Sequence, residues 1–240
     1  MSTTLPEFNR GVVRPMECLR GGWDLIKGQY WLFLGIAIVA LFIGSAVPMG
    51  ILMGPMMCGL YLALFRRQRG EPVTFDLLFK GFDYFKESVI ATLIQVVPML
   101  LILLPTYVIS FAVFLTAFKP GRRGQPPDMF PIFAFMTIIF LVVMVLSIAI
   151  GVLFAFTFPL IVDRGLSGVD AVKTSIKAAT GNLGGVLGLM LMMMLLSFVG
   201  VLLCYVGALL MLPIHFAAWS VAYRQVFSYR NETPPAPPGF

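Results

Sequence analysis

The chain has 240 residues, of which 59% are hydrophobic and only 12% are charged, and its mean hydropathy is +0.94. Soluble domains are roughly half apolar and about a quarter charged, so this composition excludes an ordinary soluble protein and indicates an integral membrane protein. A net charge of +6 could suggest nucleic acid as a partner. The basic residues lie beside the predicted membrane spans, however, where anionic headgroups neutralise them, so nucleic acid is excluded.

Four runs without charged residues predict where the chain crosses the membrane: residues 28–65, 88–118, 129–162 and 178–223. A helix rises 1.5 Å per residue, so it needs about 20 residues to cross a hydrocarbon core of roughly 30 Å. The first and last runs therefore hold two helices each, with turns near Pro48 and residues 204–207, and the middle runs hold one long helix each. The sequence predicts an all-α bundle of six transmembrane helices.

Three stretches that carry charges at helical spacing precede these spans. Their apolar positions are Met16, Leu19, Trp23 and Ile26, then Phe75, Leu78, Phe82 and Phe85, then Val169, Val172, Ile176 and Ala179. In each stretch these positions fall on one helical face, and an acidic residue follows the first of them. We interpret the stretches as amphipathic helices on the membrane surface, and the whole chain as a three-fold internal repeat of surface helix plus spanning hairpin.

The distribution of basic residues predicts the orientation of the bundle. Six spans place both termini on one side, and all of the 17 lysines and arginines except Lys119, Arg122 and Arg123 fall on that side. By the positive-inside rule, both termini and the three surface helices are cytoplasmic. The three exceptions belong to an outer loop, residues 119–131, whose prolines and glycines exclude regular structure.

The chain is interpreted as one six-span membrane domain over residues 14–228. Residues 1–13 are expected to form a flexible lead, and the proline-rich residues 229–240 a disordered tail. The first residues do not resemble a cleavable signal peptide, so the first span is expected to act as the insertion signal. Cys18, Cys58 and Cys204 lack CxxC spacing, which argues against a disulfide framework or a zinc site.

Two polar residues inside the spans are candidates for an intramembrane function. Gln95 is an amide in the third span, and His215, the only histidine, is in the sixth. Each is either a functional ligand or a side chain that hydrogen-bonds to a neighbouring helix.

The methionines from Met190 to Met194 point in several directions along one helix, so we expect them to pack rather than to bind a metal. No catalytic residue, cofactor site or metal site is predicted.

The surface helices supply two further groups of candidate residues. The candidate contacts with lipid or with a partner are Trp23, Phe75, Phe82, Phe85 and Ile176. The candidate headgroup and topology residues are Arg66, Arg67, Arg69, Arg164, Lys173 and Lys177. The expected partners are therefore the bilayer and its anionic headgroups, with a membrane protein or a second copy of the chain as a further possibility.

The second half of the chain carries motifs that resemble a known group of proteins. They are the stretch from Phe158 to Gly165, the stretch from Asp170 to Ala178, and a glycine-rich apolar run that ends at residues 222–227. This pattern resembles uncharacterised six-span bacterial membrane proteins, which are similar to the membrane domain attached to some glycerophosphodiester phosphodiesterases. The resemblance implies a helical bundle in the bacterial inner membrane. It implies no catalytic residues, because the phosphodiesterase catalytic domain is not expected in this chain.

Three classes of function are compared, and the sequence favours the first. A non-catalytic membrane protein that organises lipid or partner proteins is favoured because three amphipathic helices on one side can embed their apolar faces in the headgroup layer. A transporter or channel for a small or apolar solute is the alternative, since repeated units and broken spans serve transport. An enzyme would need converging acid, base or metal ligands, for which only Asp163, Arg164 and Asp170 at the membrane surface are candidates.

Overall fold

The computed structural model describes residues 6–47, 50–117, 130–202 and 206–228, and within these ranges the protein is all-helical, without a β-strand. The α-helices are α1 (Pro15–Ile26), α2 (Tyr30–Ala46), α3 (Met53–Gln68), α4 (Phe85–Ala117), α5 (Phe130–Leu153), α6 (Thr157–Arg164), α7 (Gly168–Gly181), α8 (Leu183–Leu202) and α9 (Val206–Val226). A 3₁₀ turn (Lys27–Gln29) joins α1 to α2, and a 3₁₀ helix (Phe75–Tyr84) leads into α4. The predicted all-α class is confirmed. Most of the predicted outer loop, the turn at Pro48 and the tail lie outside the described residues.

Five helical stretches are long and apolar enough to cross a membrane: Pro15–Ala46, Phe75–Val113, Ile132–Arg164, Leu183–Leu202 and Val206–Val226. Such a set is compatible with a multi-pass membrane protein. The remaining predicted span, the second along the chain, corresponds to α3, which has only 16 residues. At 1.5 Å per residue it is about 24 Å long, shorter than the hydrocarbon core. It is also largely buried among the other helices, as expected for a central helix.

The predicted fourth span is not one continuous helix. It divides into α5 and α6 at residues 154–156. Pro159 has no N–H, and its ring would clash with the carbonyl group of Ala155 in a regular helix, which explains the break. Ser175 of α7 repairs it, because its hydroxyl donates to the carbonyl oxygen of Leu153 (2.8 Å) and accepts from the N–H of Phe156 (3.1 Å).

The prediction of an α-helix for the second surface stretch is wrong, since Phe75–Tyr84 is a 3₁₀ helix. With three residues per turn, side chains three apart lie directly above one another. Leu78 and Gly81 consequently share the buried face, and Phe79, Phe82 and Phe85 share an exposed one. The apolar face predicted from a period of 3.6 residues had placed Leu78, Phe82 and Phe85 together, so the change of helix type moves two phenylalanines to the outside.

The first and third surface stretches are α-helices, as predicted. Pro15 occupies the first turn of α1, where its missing N–H leaves no backbone bond unmade. At the start of α7, the hydroxyl of Ser167 accepts a hydrogen bond from the backbone N–H of Asp170 (3.2 Å) and so caps the helix. The same hydroxyl donates to the Asp170 carboxylate (2.8 Å). Glu87 of α4 accepts from the free N–H of Gly168 (2.7 Å), so a second helix also caps α7.

Each surface stretch packs against another helix of the bundle, which for α1 is far away in sequence and for the other two includes the helix that directly precedes them. α1 lies along α9, the 3₁₀ helix lies along α3, and α7 lies against α6 and α4. Glycines allow these close approaches, because a Cβ at Gly59 would overlap the Leu78 carbonyl group and one at Gly81 would overlap that of Pro55. Gly22 of α1 meets the backbone of Ala218 in the same way. The small residues of α3 are therefore used for packing within the molecule.

The N-terminal segment before α1 also contacts the bundle where the sequence suggested a flexible lead. The N–H of Asn9 donates to the Val226 carbonyl oxygen (2.9 Å), and the N–H of Gly11 donates to that of Gly181 (3.2 Å). Asn182 accepts from the N–H of Val12 (3.0 Å) and donates to the Asn9 carbonyl oxygen (2.9 Å). These bonds hold the described residues 6–14 across the ends of α7 and α9.

The outward surface of α4, α5 and α8 consists of exposed apolar side chains. Among them are Leu101, Tyr107, Phe111, Phe140, Leu195 and Phe198. Soluble proteins rarely expose continuous apolar patches larger than a few hundred Å². Contact with lipid explains why these helices leave such side chains outside the core.

Substituting Gly59 or Gly81 by alanine is expected to destabilise the protein, because the new methyl group would meet a backbone carbonyl that cannot move without displacing a helix. We expect each change to lower the free energy of unfolding by about 1–3 kcal/mol or more. Gly184→Ala is the control, since a Cβ there meets nothing within 4 Å. Unfolding in detergent is the measurement, and equal stability of all three variants would contradict the packing described for α3.

Candidate functional site

The C-terminal ends of α3, α6 and α9 meet at a group of charged and polar side chains, here called the polar junction: Gln68, Asp163, Arg164, Tyr223 and Arg224. Asp163 is its centre. One carboxylate oxygen lies 2.8 Å from the Arg224 guanidinium, and the other accepts from the Tyr223 hydroxyl (2.8 Å) and lies 3.2 Å from Arg164. The side chains of Asp163, Arg164 and Arg224 are only 11%, 16% and 10% exposed.

Arg224 connects the junction to α3. Its Nε donates to the side-chain oxygen of Gln68 (3.1 Å), and its guanidinium lies 4.4 Å from the centroid of the Phe65 ring. The amide nitrogen of Gln68 donates in turn to the Ser220 hydroxyl of α9 (3.1 Å). A guanidinium that combines an ion pair, an amide acceptor and an aromatic face is held in one orientation, so the junction fixes three helix ends relative to one another.

The aromatic core lies directly beside the junction. The Phe65 and Tyr223 rings are 5.3 Å apart, the Tyr223 and Phe227 rings are 5.0 Å apart, and Phe156 contacts both Tyr223 and Phe227. All four rings are fully buried. The space where α3, α6 and α9 converge is therefore filled by side chains.

Asp163, Arg164 and Asp170 were the residues considered for a surface activity. Asp163 and Arg164 belong to the junction, while Asp170 binds Ser167 at the start of α7. The carboxylate of Asp163 already pairs with two arginines and accepts from the Tyr223 hydroxyl, an arrangement that suits a structural ion pair. Within the described residues, no group of three or more His, Cys, Asp or Glu side chains is arranged to hold a metal ion.

The basic cluster at the end of α3, formed by Arg66, Arg67 and Arg69, has several internal partners. Arg67 donates to the Leu25 carbonyl oxygen (3.0 Å) and so ties the end of α3 to α1. Arg66 and Arg69 both pair with Glu71, at 3.6 Å for Arg66. The hydrogen bond from Arg69, together with the positive charges of Arg69 and Arg66, holds the pKa of the Glu71 carboxyl below its usual value.

The 3₁₀ helix and the first residue of α4 present four partly exposed phenylalanines, here called the aromatic row: Phe75, Phe79, Phe82 and Phe85. Their exposed fractions are 38%, 46%, 40% and 42%. The rings of Phe82 and Phe85 stack at 6.3 Å, and those of Phe75 and Phe79 meet edge to face at 6.3 Å. Lys80 and Lys86 are exposed in the same segment. The predicted contacts Phe75, Phe82 and Phe85 are thus partly exposed and belong to two ring pairs, Phe75 with Phe79 and Phe82 with Phe85.

The other predicted surface residues lie apart from the aromatic row. Trp23 is 46% exposed, and its ring contacts Tyr30 at 5.9 Å, which in turn contacts Trp31. Ile176 is partly buried against the core, so it serves packing more than outside contact. Lys173 and Lys177 are exposed on α7.

The two intramembrane candidates have different surroundings. Gln95 is partly exposed on α4, and among the described residues its side chain has no hydrogen-bond partner, so the expected bond to a neighbouring helix is not found. The imidazole Nε2 of His215 accepts from the indole N–H of Trp219 (3.2 Å), one turn further along the same helix. His215 also lines an apolar cavity.

Sequence reasoning missed Gln68, Tyr223 and Arg224 as members of one site. Gln68 and Arg224 were visible only as parts of basic segments at the ends of spans. The sequence did contain one signal. Three spans each end in an arginine, which indicates a shared acidic partner such as Asp163. The pairing itself joins residues separated by 60 positions or more and could not be read from local spacing.

The polar junction should be essential for stability, in contrast to an exposed ion pair. Asp163→Ala would leave two buried guanidinium groups without their carboxylate, and we expect a loss of about 3–5 kcal/mol. Asp24→Ala is the matched control, because the Asp24–Lys27 pair is more than half exposed and should contribute at most about 1 kcal/mol. Unfolding of both variants in detergent is the measurement. Similar losses for the two would show that the junction has no special role.

Comparison of the chain with protein-family models, curated proteins and solved structures gave no match. The assignment of a function consequently depends on the geometry of the polar junction, the aromatic row and the intramembrane side chains.

Proposed function

We propose that the protein is a six-span membrane protein of the bacterial inner membrane that organises lipid or a partner protein at the cytoplasmic headgroup layer, without catalysis. The polar junction acts as the rigid base of this surface. The aromatic row supplies the contact with lipid or partner, and the basic residues around it supply attraction for anionic headgroups.

The observation that carries the proposal is the exposure of the aromatic row beside Lys80 and Lys86. Leu77, Leu78 and Gly81 provide the internal contact of the 3₁₀ helix, while the rings stay partly outside. Large aromatic rings next to lysines are typical of the membrane interface, where the rings enter the acyl boundary and the ammonium groups reach phosphate.

The orientation rests on where the basic residues gather. Arg67 reaches α1, Arg224 reaches α3 and α6, and Arg164 donates to the Ser228 carbonyl oxygen (2.6 Å). These contacts bring the ends of several helices to one end of the bundle, where the positive-inside rule predicts the cytoplasm. In this arrangement α3 is the second of the six spans, a short helix whose length local thinning of the bilayer accommodates.

The packing order also favours the three-fold repeat. In each unit a surface stretch precedes a hairpin, and it packs against the second helix of another hairpin: α1 against α9, the 3₁₀ helix against α3, and α7 against α6. Three units linked in this cyclic way place their second helices together at the centre. The polar junction then marks the point where the three units meet.

The filled centre favours an organising role over transport. An alternating-access transporter holds its substrate in a hydrated site between repeats near the middle of the membrane. Here buried rings and a paired arginine occupy the region where the second helices converge. An interface with lipid or protein needs no such opening.

Replacing Phe75, Phe82 and Phe85 together by serine should leave the fold intact and remove the bound component, because these rings contribute mainly to the outer surface. The measurement is purification from native membranes at low detergent, with mass spectrometry of the lipids and proteins that remain bound. Leu77→Ser/Leu78→Ser is the matched control. Both leucines are fully buried, so that variant should fail to fold.

The outcomes separate the two kinds of partner. Loss of anionic lipid from the folded triple variant would indicate a lipid role, and loss of a copurified protein would indicate a protein partner. If the triple variant unfolds, Phe79→Ser provides the test with a single exposed ring. A folded variant that retains the same lipids and proteins as the unmodified chain would refute the proposal.

Transport of a small or apolar solute is the second candidate, favoured by the apolar cavity beside His215. Since the centre of the bundle is filled, we expect protein in sealed vesicles to leave proton and sodium gradients intact over minutes. Fluorescent gradient indicators provide the measurement, with empty vesicles and a gramicidin-treated sample as controls. A flux that disappears on His215→Ala or Gln95→Ala would reverse the ranking of the two functions.

A further inference from the structure

A cavity of about 500 Å³ lies between α5, α8 and α9. Its walls are aliphatic and thioether groups, with Ile148 on α5 and Met190, Met193 and Met194 on α8, and its polar groups are Ser197 and His215. Met193, Ser197 and His215 also line a second, smaller cavity between α8 and α9. The larger volume is within the range of about 300–1,000 Å³ that encloses small organic ligands.

The polar groups of this cavity lie deep in the bundle. His215 is nine positions after Val206, the first residue of α9, which corresponds to about 14 Å along the helix axis. Half of a hydrocarbon core is about 15 Å, so in a membrane-crossing α9 the imidazole lies near the middle of the bilayer. A charged headgroup is strongly disfavoured at that depth, and the bound molecule must therefore be neutral there.

Both polar side chains present hydrogen-bond donors. Because His215 Nε2 accepts from Trp219, a neutral imidazole carries its hydrogen on Nδ1, which then is a donor. Neither this Nδ1 nor the hydroxyl of Ser197 has a hydrogen-bond partner among the residues that the structure describes. His215 and Ser197 are partly buried, and both line an apolar cavity. Donors without an acceptor are unfavourable in an apolar medium, so a ligand that supplies an acceptor would be stabilised.

Three methionines favour an aromatic ligand over a simple acyl chain. Met190, Met193 and Met194 are spaced at i, i+3 and i+4, so their side chains reach the same face of α8. Thioether sulfur makes favourable contacts with the edges of aromatic rings, and flexible methionines adapt to a flat ligand. An acyl chain offers no acceptor at this depth, because the ester groups of lipids lie at the interface.

We propose that this cavity binds a membrane quinone, a neutral ring with carbonyl acceptors and an isoprenoid tail, with His215 and Ser197 as hydrogen-bond donors and the methionines around the ring. The proposal concerns binding alone and is independent of the proposed organising function. Leu191 and Met194 are exposed at the edge of the cavity, so a ligand dissolved in the bilayer can enter sideways.

The test uses the full chain in phosphatidylcholine nanodiscs, with decylubiquinone as the probe. In a Trp23→Phe/Trp31→Phe background, Trp219 is the single remaining tryptophan, and it is hydrogen-bonded to His215. We expect saturable quenching of its fluorescence. His215→Phe and Ser197→Ala should each weaken binding by roughly three- to tenfold, which is the effect of about one hydrogen bond.

Ser45→Ala is the matched control, since it removes a hydroxyl at the end of α2 that donates to the Phe42 carbonyl oxygen outside the cavity. Its affinity should equal that of the background protein. If His215→Phe does not fold, Leu191→Phe fills the edge of the cavity at an exposed position and should also weaken binding. Quenching that never saturates, or equal affinity in Ser197→Ala, Leu191→Phe and Ser45→Ala, would mean that the quinone only dissolves in the bilayer and would overturn the proposal.

Discussion

The ion pair between Asp163 and Arg224 is the interaction on which the arrangement of the helices depends. It joins α6 to α9, and the bond from Arg224 to Gln68 adds α3. Charges with so little exposure are stable only when they are paired and hydrogen-bonded together, since an isolated charge in the same place would cost several kcal/mol. The three helix ends therefore have one arrangement that satisfies the buried groups, and other registers would leave a charge without its partner.

Close backbone contacts set the remaining distances in the bundle. Gly59 and Gly81 let the 3₁₀ helix approach α3, and Gly22 lets α1 approach α9, so each surface stretch is attached to the outside of a central helix. In a membrane the hydrophobic effect does not drive helices together, and close van der Waals contact between small residues replaces it. The glycines and the polar junction act at different places on the same three central helices.

This division of the molecule explains why the two proposed sites lie away from the centre. The inner faces of α3, α6 and α9 are used for mutual packing and for the polar junction, which leaves no room for a ligand. The aromatic row projects from the outer side of the 3₁₀ helix, and the cavity beside His215 lies between α5, α8 and α9. Both are lateral surfaces of the helical bundle.

Much of the fold could be predicted because its causes are local. Charge-free runs located most of the long apolar helices, and the helical spacing of Val169, Val172 and Ile176 correctly predicted the helix α7. The break between α5 and α6 was not predicted, although Pro159 is its visible cause, because a long apolar run alone contains no sign of the neighbouring Ser175 that stabilises it. The pairing of Asp163 with Arg224 and Tyr223 was equally hidden, since it depends on helices brought together from distant parts of the chain.

The second surface stretch illustrates the boundary between the two sources of information. Its composition predicted a helix with an apolar face, but Phe75–Tyr84 is a 3₁₀ helix that packs on α3 through Gly81, and Phe82 lies on its exposed side. The amino-acid sequence by itself determined that the chain is helical, apolar enough for a membrane and basic at the ends of its helices. Only the tertiary structure decided which faces are buried and which charges are paired, because those depend on contacts between helices and not on the period of any one of them.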